Sequence, residues 1–119
     1  MSGDKKIVYV SDIQTGLGDR ILGIISTQIF AQLYSIPFYI WWKTPNIDTA
    51  LTINPKFDYT RYQNDKDKSY ELILTSHGNE LLDYKTLTIL VTTDWMKVIS
   101  ENDTIFIRSN MAYQYAIIK

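Results

Sequence analysis

The order of elements at the amino-terminal end constrains this chain most. "KIVYV", Lys6 to Val10, is β-branched, aromatic and continuously apolar, the pattern of a central strand buried on both faces. A loop, "SDIQTGLG", leads into "DRILGIISTQIFAQLYS", where Leu22, Ile25, Ile29 and Leu33 recur about a turn apart beside Ile21 and Ile24, which marks a helix. "PFYIWW", Pro37 to Trp42, opens on a proline and is otherwise aromatic and β-branched, so it reads as a second strand. Strand, loop, helix and strand make a βαβ unit. That unit favours a mostly parallel α/β sheet flanked by helices over a sandwich.

At 119 residues the chain holds one α/β domain, residues 1–119, with a single modest core. Between about residues 43 and 69 it turns polar, with Pro45, Pro55 and a charged cluster from Asp65 to Lys68. This predicts a long surface excursion with a short element near Thr49 to Ile53. "YELILTS" suits a strand or a short helix, and its few residues do not separate the two. "TLTILVTTDW", from Thr86, reads as a strand. "DTIFIRSNMAYQYAIIK" gives a strand from Thr104 to Arg108, a polar turn at Ser109 and Asn110, and a short apolar tail.

The formal net charge of -1 gives no electrostatic reason to expect nucleic acid or an anionic membrane as partner. Without cysteine there is no disulfide frame, thiolate zinc site or cysteine nucleophile, which fits a reducing compartment. "MSGDKKIVYV" reaches polar residues after four apolar ones, so it has neither a signal-peptide core nor a spanning segment, and a cytoplasmic location is expected.

The glycine-rich loop, residues 14–20, is the main chemical signal. A strand ending in such a turn at the start of a helix makes an anion site, because the helix N-terminus presents unpaired N–H groups and partial positive charge. The alternative is structural: Gly16 and Gly18 permit a tight turn, and Gly23 lets the helix lie close to the sheet. The dinucleotide fingerprint fails, since its third glycine would fall at Ile21 and its ribose-binding acid on Trp41 to Lys43. The triphosphate loop fails too, because no Gly-Lys-Ser or Gly-Lys-Thr follows. Asp19 complements the helix dipole, whereas Arg20 opposes it, so Arg20 either faces an anionic ligand or a carboxylate or lies solvated on the outer face of the helix, and the sequence favours neither.

Other polar residues carry less. His77, in "TSHGNE", reads as a loop residue, and Asp65 and Asp67 with Lys66 and Lys68 as a solvated charge run. Trp41, Trp42 and Trp95 could stack on a sugar, but tryptophans in strands more often belong to a core. Asp12, at the end of the first strand, is the candidate general base. No metal site and no cofactor are called for.

Taken together, "GLGDRILGIISTQIFAQLYSIPFYIWW" resembles the opening of the fucosyltransferase-like glycosyltransferases, in particular the plant xyloglucan fucosyltransferases. That group shows Gly-Leu-Gly-Asn-Arg, a helix with a Ser-Thr or Ser-Ala step, and a strand ending Ile-Asp-Trp. Gly16, Leu17, Gly18 and Arg20 match, Asp19 stands for Asn, Ser26 and Thr27 supply the step, and Trp41 replaces the strand-end Asp. The tail "IFIRSNMAYQYAII" is similar to the family segment in which a strand ends in Arg or Lys before a polar pair and an aromatic stretch.

The resemblance implies a Rossmann-like, mostly parallel sheet forming one half of a two-lobed (GT-B-like) glycosyltransferase, on the cleft or acceptor side. It implies ligand contacts at Gly16, Leu17, Gly18, Asp19, Arg20, Arg108 and Asn110, and metal-independent transfer. A sugar nucleotide such as GDP-fucose, or a glycan acceptor, would be the ligand. The family's donor-binding half carries a His-x-Arg motif, which does not occur in this sequence, so a second α/β half would have to supply it. Whether the chain is an enzyme by itself stays open. The other reading is a non-catalytic binding or assembly module with the same fold, self-associating as a homo-oligomer through an exposed, incomplete sheet edge or a cleft face lined by residues such as Trp95 and Tyr113.

Overall fold

The structure, a computed structural model, describes residues 5–11, 17–43, 54–74, 84–109 and 113, without the side chains of 17–19 and 84–87. In chain order the elements are β1 (Lys6–Ser11), α1 (Leu17–Leu33), β2 (Phe38–Trp42), two 3-10 turns (Pro55–Phe57 and Tyr59–Arg61), β3 (Ser69–Leu74), α2 (Tyr84–Thr92), α3 (Trp95–Glu101) and β4 (Thr104–Ser109). The four strands form one all-parallel, Rossmann-like sheet in the order β2-β1-β4-β3. As its apolar run predicts, β1 is central and buried along its whole length.

Crossover handedness decides which segment covers which face. The steps from β1 to β2 and from β3 to β4 run the same way across the sheet, whereas the step from β2 to β3 runs back past two strands. Right-handed crossovers in one direction cover one face, and a crossover in the opposite direction covers the other. The helices therefore share a layer: Ile7, Leu72, Leu74, Ile105 and Ile107 pack with Phe30 and Ala31 of α1 and with Leu90, Trp95 and Ile99. The excursion lies on the opposite face, where Tyr59 is buried with Val8 and Val10 beside Trp41 and Phe106.

That excursion is pinned as well as solvated. The side chains of Asn54 and Asp58 cap the two 3-10 turns, accepting from the backbone N–H groups of Lys56 and Thr60. Asp67, expected in a solvated charge run, instead accepts from Lys6 Nζ at 2.9 Å and Thr104 Oγ1 at 3.1 Å. The side chains of Lys6 and Asp67 are only 9% and 12% exposed, so each needs the other to offset its lost hydration. Residues 49–53, where a short element is expected, lie outside the described residues.

The strand expected from Thr86 is a helix, α2. Its β-branched run suits a strand by propensity, but tertiary packing overrides that preference. Leu90 is buried while Ile89 and Val91, on either side of it, are each 41% exposed, so one face alone needs cover. The hydroxyls of Thr92 and Thr93 donate to the carbonyls of Thr88 and Ile89, four residues back, at 2.6 Å. The Trp95 indole donates to the Leu90 carbonyl at 3.0 Å and ties α2 to α3. Asp94 caps α3 at its start, and Lys5 Nζ meets the carbonyls of Ile99 and Asn102 at its end, where a cation suits the helix dipole. "YELILTS" supplies a strand, and Ser109 belongs to β4 rather than to a turn.

The packing face of α1 is not its apolar stripe. Leu22, Ile25 and Leu33 are 44%, 45% and 49% exposed, while Gly23, Ser26, Thr27, Phe30 and Ala31 are buried. Small residues let the helix sit close to the strands. A methyl group on Gly23 would lie 2.6 Å from the Ser109 carbonyl oxygen and 2.8 Å from a ring carbon of Tyr9, so glycine is needed for this approach. Thr27 Oγ1 donates to the Gly23 carbonyl at 2.8 Å, which leaves it to accept from the Tyr113 hydroxyl at 2.6 Å. Ser26 Oγ accepts from the Tyr113 backbone N–H at 3.0 Å. Past Leu33 the helix is closed off by Ser35, in the left-handed region with φ 55°, and the Ile36 N–H returns to the Ala31 carbonyl just before Pro37.

Two stability outcomes follow from this contact. Ala gains about 1 kcal/mol over Gly in helix propensity, but forcing a methyl against a backbone carbonyl costs about 1–3 kcal/mol. Gly23→Ala is therefore expected to lower the urea midpoint, and a raised midpoint would mean that α1 does not lie this close.

Thr27→Val keeps its volume but strands the buried Tyr113 hydroxyl, a loss of about 1–3 kcal/mol. The double variant with Tyr113→Phe should lose less than the sum of the singles. Burial pushes the Tyr113 phenol far above the ordinary tyrosine range. Above about pH 10, where the unfolded phenol gives up its proton and the folded one keeps it, stability must fall with rising pH. Tyr113→Phe is expected to flatten this alkaline limb in denaturant titrations.

Candidate functional site

Parallel strands bring all their carboxyl ends to one edge of the sheet, where ligands of open α/β folds bind. Ser11 of β1 pairs in register with Trp42 of β2, and the Lys43 N–H donates to the Ser11 carbonyl at 3.0 Å, closing this end of the pair. Helix α1 opens at Leu17, so Leu17, Gly18 and Asp19 belong to its first turn rather than to the loop. Gly16 and Asp12 lie outside the described residues, as do Asn110 and His77.

Arg20, also in the first turn, reaches back over β2. Its guanidinium carbon sits 5.2 Å from the centre of the Trp42 ring, a cation–π stack. Trp42 takes the same sheet face as Phe38, which packs into the core beneath the helices, and so lies toward α1. Arg20 Nε and Trp42 Nε1 are both buried, and neither has a hydrogen-bond partner among the described residues. An N–H left in that state costs about 1–3 kcal/mol, more when charged. Two such donors beside each other, one of them cationic, suit an acceptor-rich, negatively charged group.

The other expected contacts divide. Arg108 donates to Glu71 Oε1 at 2.6 Å. Its strand neighbours Ile107 and Ser109 are buried, Ile107 in the core beneath the helices, so the Arg108 side chain lies on the opposite face from α1 and does not converge with Arg20. Trp95 and Tyr113, expected on an exposed cleft face, are core residues, 5% and 0% exposed. Trp95 packs edge-on against Phe30 at 5.2 Å, and Tyr113 fills the space beneath Ser26 and Thr27. Trp41 lies on the excursion face, 5.2 Å from the Tyr59 ring and capped by Lys43 Nζ at 4.5 Å. Of the three tryptophans, Trp42 is the one brought to the first turn of α1.

The pairing of Arg20 with Trp42 is invisible in local sequence. The sole hint is a tryptophan as the last residue of the strand that follows the glycine-loop helix, since the terminal residue of β2 stands level with the end of β1. Comparison of the chain with family models, with curated proteins and with solved structures found no match to any of them.

Proposed function

We propose that the chain is the cleft-forming α/β half of a fucosyltransferase-like glycosyltransferase, holding the phosphates of a sugar nucleotide such as GDP-fucose at the carboxyl ends of β1 and β2. The observation that supports this most is the pair of buried donors without partners among the described residues, Arg20 Nε and Trp42 Nε1, at the first turn of α1. A diphosphate offers acceptors to both, and its charge matches the guanidinium and the positive end of the helix.

In the transfer step the acceptor hydroxyl gives its proton to a base, for which Asp12 is the candidate, and attacks the anomeric carbon; the bond to the diphosphate breaks, and negative charge grows on the departing oxygen. Arg20 would counter that charge, and the Trp42 N–H would hold the guanidinium's target in place, so that electrostatic support of the leaving group is the chief contribution of this half. The second half, carrying the motif this sequence lacks, would grip the nucleotide from across the cleft.

Isothermal titration with GDP-fucose, GDP and other nucleotide sugars tests the reading. GDP-fucose is expected to bind, and Arg20→Ala to weaken it by about 10- to 100-fold, the worth of a hydrogen bond to a charged group. Absence of binding by every nucleotide sugar, or equal binding by Arg20→Ala, overturns it.

A further inference from the structure

The connections that leave β1 and β2 part company at the carboxyl edge of the sheet. The chain after β1 enters α1 in the helical layer, whereas the chain after β2 goes to the 3-10 turns on the opposite face, where Tyr59 packs on Val8 and Val10. Adjacent strands whose connections diverge in this way form the switch point of an open α/β sheet, the crevice in which its ligands sit. Each connection sets one cation beside it. Arg20, in the first turn of α1, stacks on the Trp42 ring, and Lys43, the first residue past β2, holds its ammonium nitrogen 4.5 Å from the centre of the Trp41 ring. Trp41 and Trp42 are successive residues of one strand and point to opposite faces, so the two cations flank the end of β2 from either side. The Lys43 N–H is bound to the Ser11 carbonyl, which fixes the root of its side chain level with the end of β1. From Ile21 to Trp42 the sequence contains no charged residue, so no carboxylate stands between the two cations in the chain.

We propose that the site distinguishes a diphosphate from a monophosphate, with Arg20 holding one phosphate and Lys43 the other. The inference rests on the sugar-nucleotide reading above and adds Lys43 to it. Arg20 takes the phosphate nearer the sugar, where its planar fork and the positive end of α1 act together. Lys43 takes the phosphate nearer the nucleoside. Its side chain is exposed, with a point charge on a flexible four-carbon stem, and a cation resting on a ring at the surface is weakly held, so the ammonium can swing from Trp41 to the ligand. Two linked phosphates engage both cations at once. A single phosphate goes to Arg20, which has the stronger combination of donors and dipole.

Isothermal titration of the whole chain with GDP and GMP reads this out. GDP is expected to bind about tenfold more tightly than GMP, the gain from a second charged contact. Lys43→Gln keeps the backbone bond to Ser11 and removes the charge. It should weaken GDP by about five- to tenfold, less than Arg20→Ala does because Lys43 is exposed and screened, and GMP by less than about twofold. Lys43→Arg, which keeps the charge, should restore most of the loss. Unchanged GDP affinity in Lys43→Gln, or equal weakening of GDP and GMP, overturns the inference. Where Arg20→Ala weakens GDP-fucose and Lys43→Gln does not, the sugar-nucleotide reading stands and the role of Lys43 alone falls. Absence of binding by GDP and by every nucleotide sugar removes both.

Discussion

The close approach of α1 to the sheet at Gly23 governs much of what the molecule can present. The helix can sit against the Ser109 carbonyl and the Tyr9 ring because no Cβ intervenes. Once it does, Ser26 and Thr27 must face inward, and their hydroxyls need partners. Tyr113, returning after β4, supplies a hydroxyl and an N–H. In consequence the large aliphatic side chains of α1 are left on the outside, and the first turn of the helix is set down over Trp42.

The two faces of the sheet are held by different physics. Beneath the helices the core is aliphatic and aromatic, with Phe30, Tyr70 and Trp95 in edge-on contact. On the other face a smaller aromatic group around Tyr59 combines with the Lys6–Asp67 pair to bring a polar excursion down onto β1 and β2. Further along the sheet, Arg108 and Glu71 pair at the surface and Ile73 is 59% exposed. At the edge by Ser11 and Trp42, by contrast, two buried donors have no partner among the described residues.

Much of the architecture was legible because it rests on local pattern. The apolar runs of β1 and β2, the helix between them and the strand at Thr104 follow from periodicity and β-branching, and the packing role of Gly23 from its place inside a helix. Other readings failed for a reason that recurs. The run from Thr86 has strand-forming residues but packs along one side, and Asp67 looks solvated until Lys6 and Thr104 are brought to it from distant positions. Trp95 and Tyr113 carry no local mark of burial, since what covers them comes from α1 and β3.

The sequence by itself determined a parallel α/β sheet begun by a βαβ unit, and a glycine-rich entry to its first helix. It could do so because side-chain periodicity and the lack of a Cβ act within a few residues. Only the tertiary structure decided which side of α1 meets the sheet, and that Trp42 stands under Arg20 with Arg20 Nε and Trp42 Nε1 unmatched among the described residues. Those facts depend on crossover handedness and on contacts between residues far apart in the chain, and neither is written in any local stretch of it.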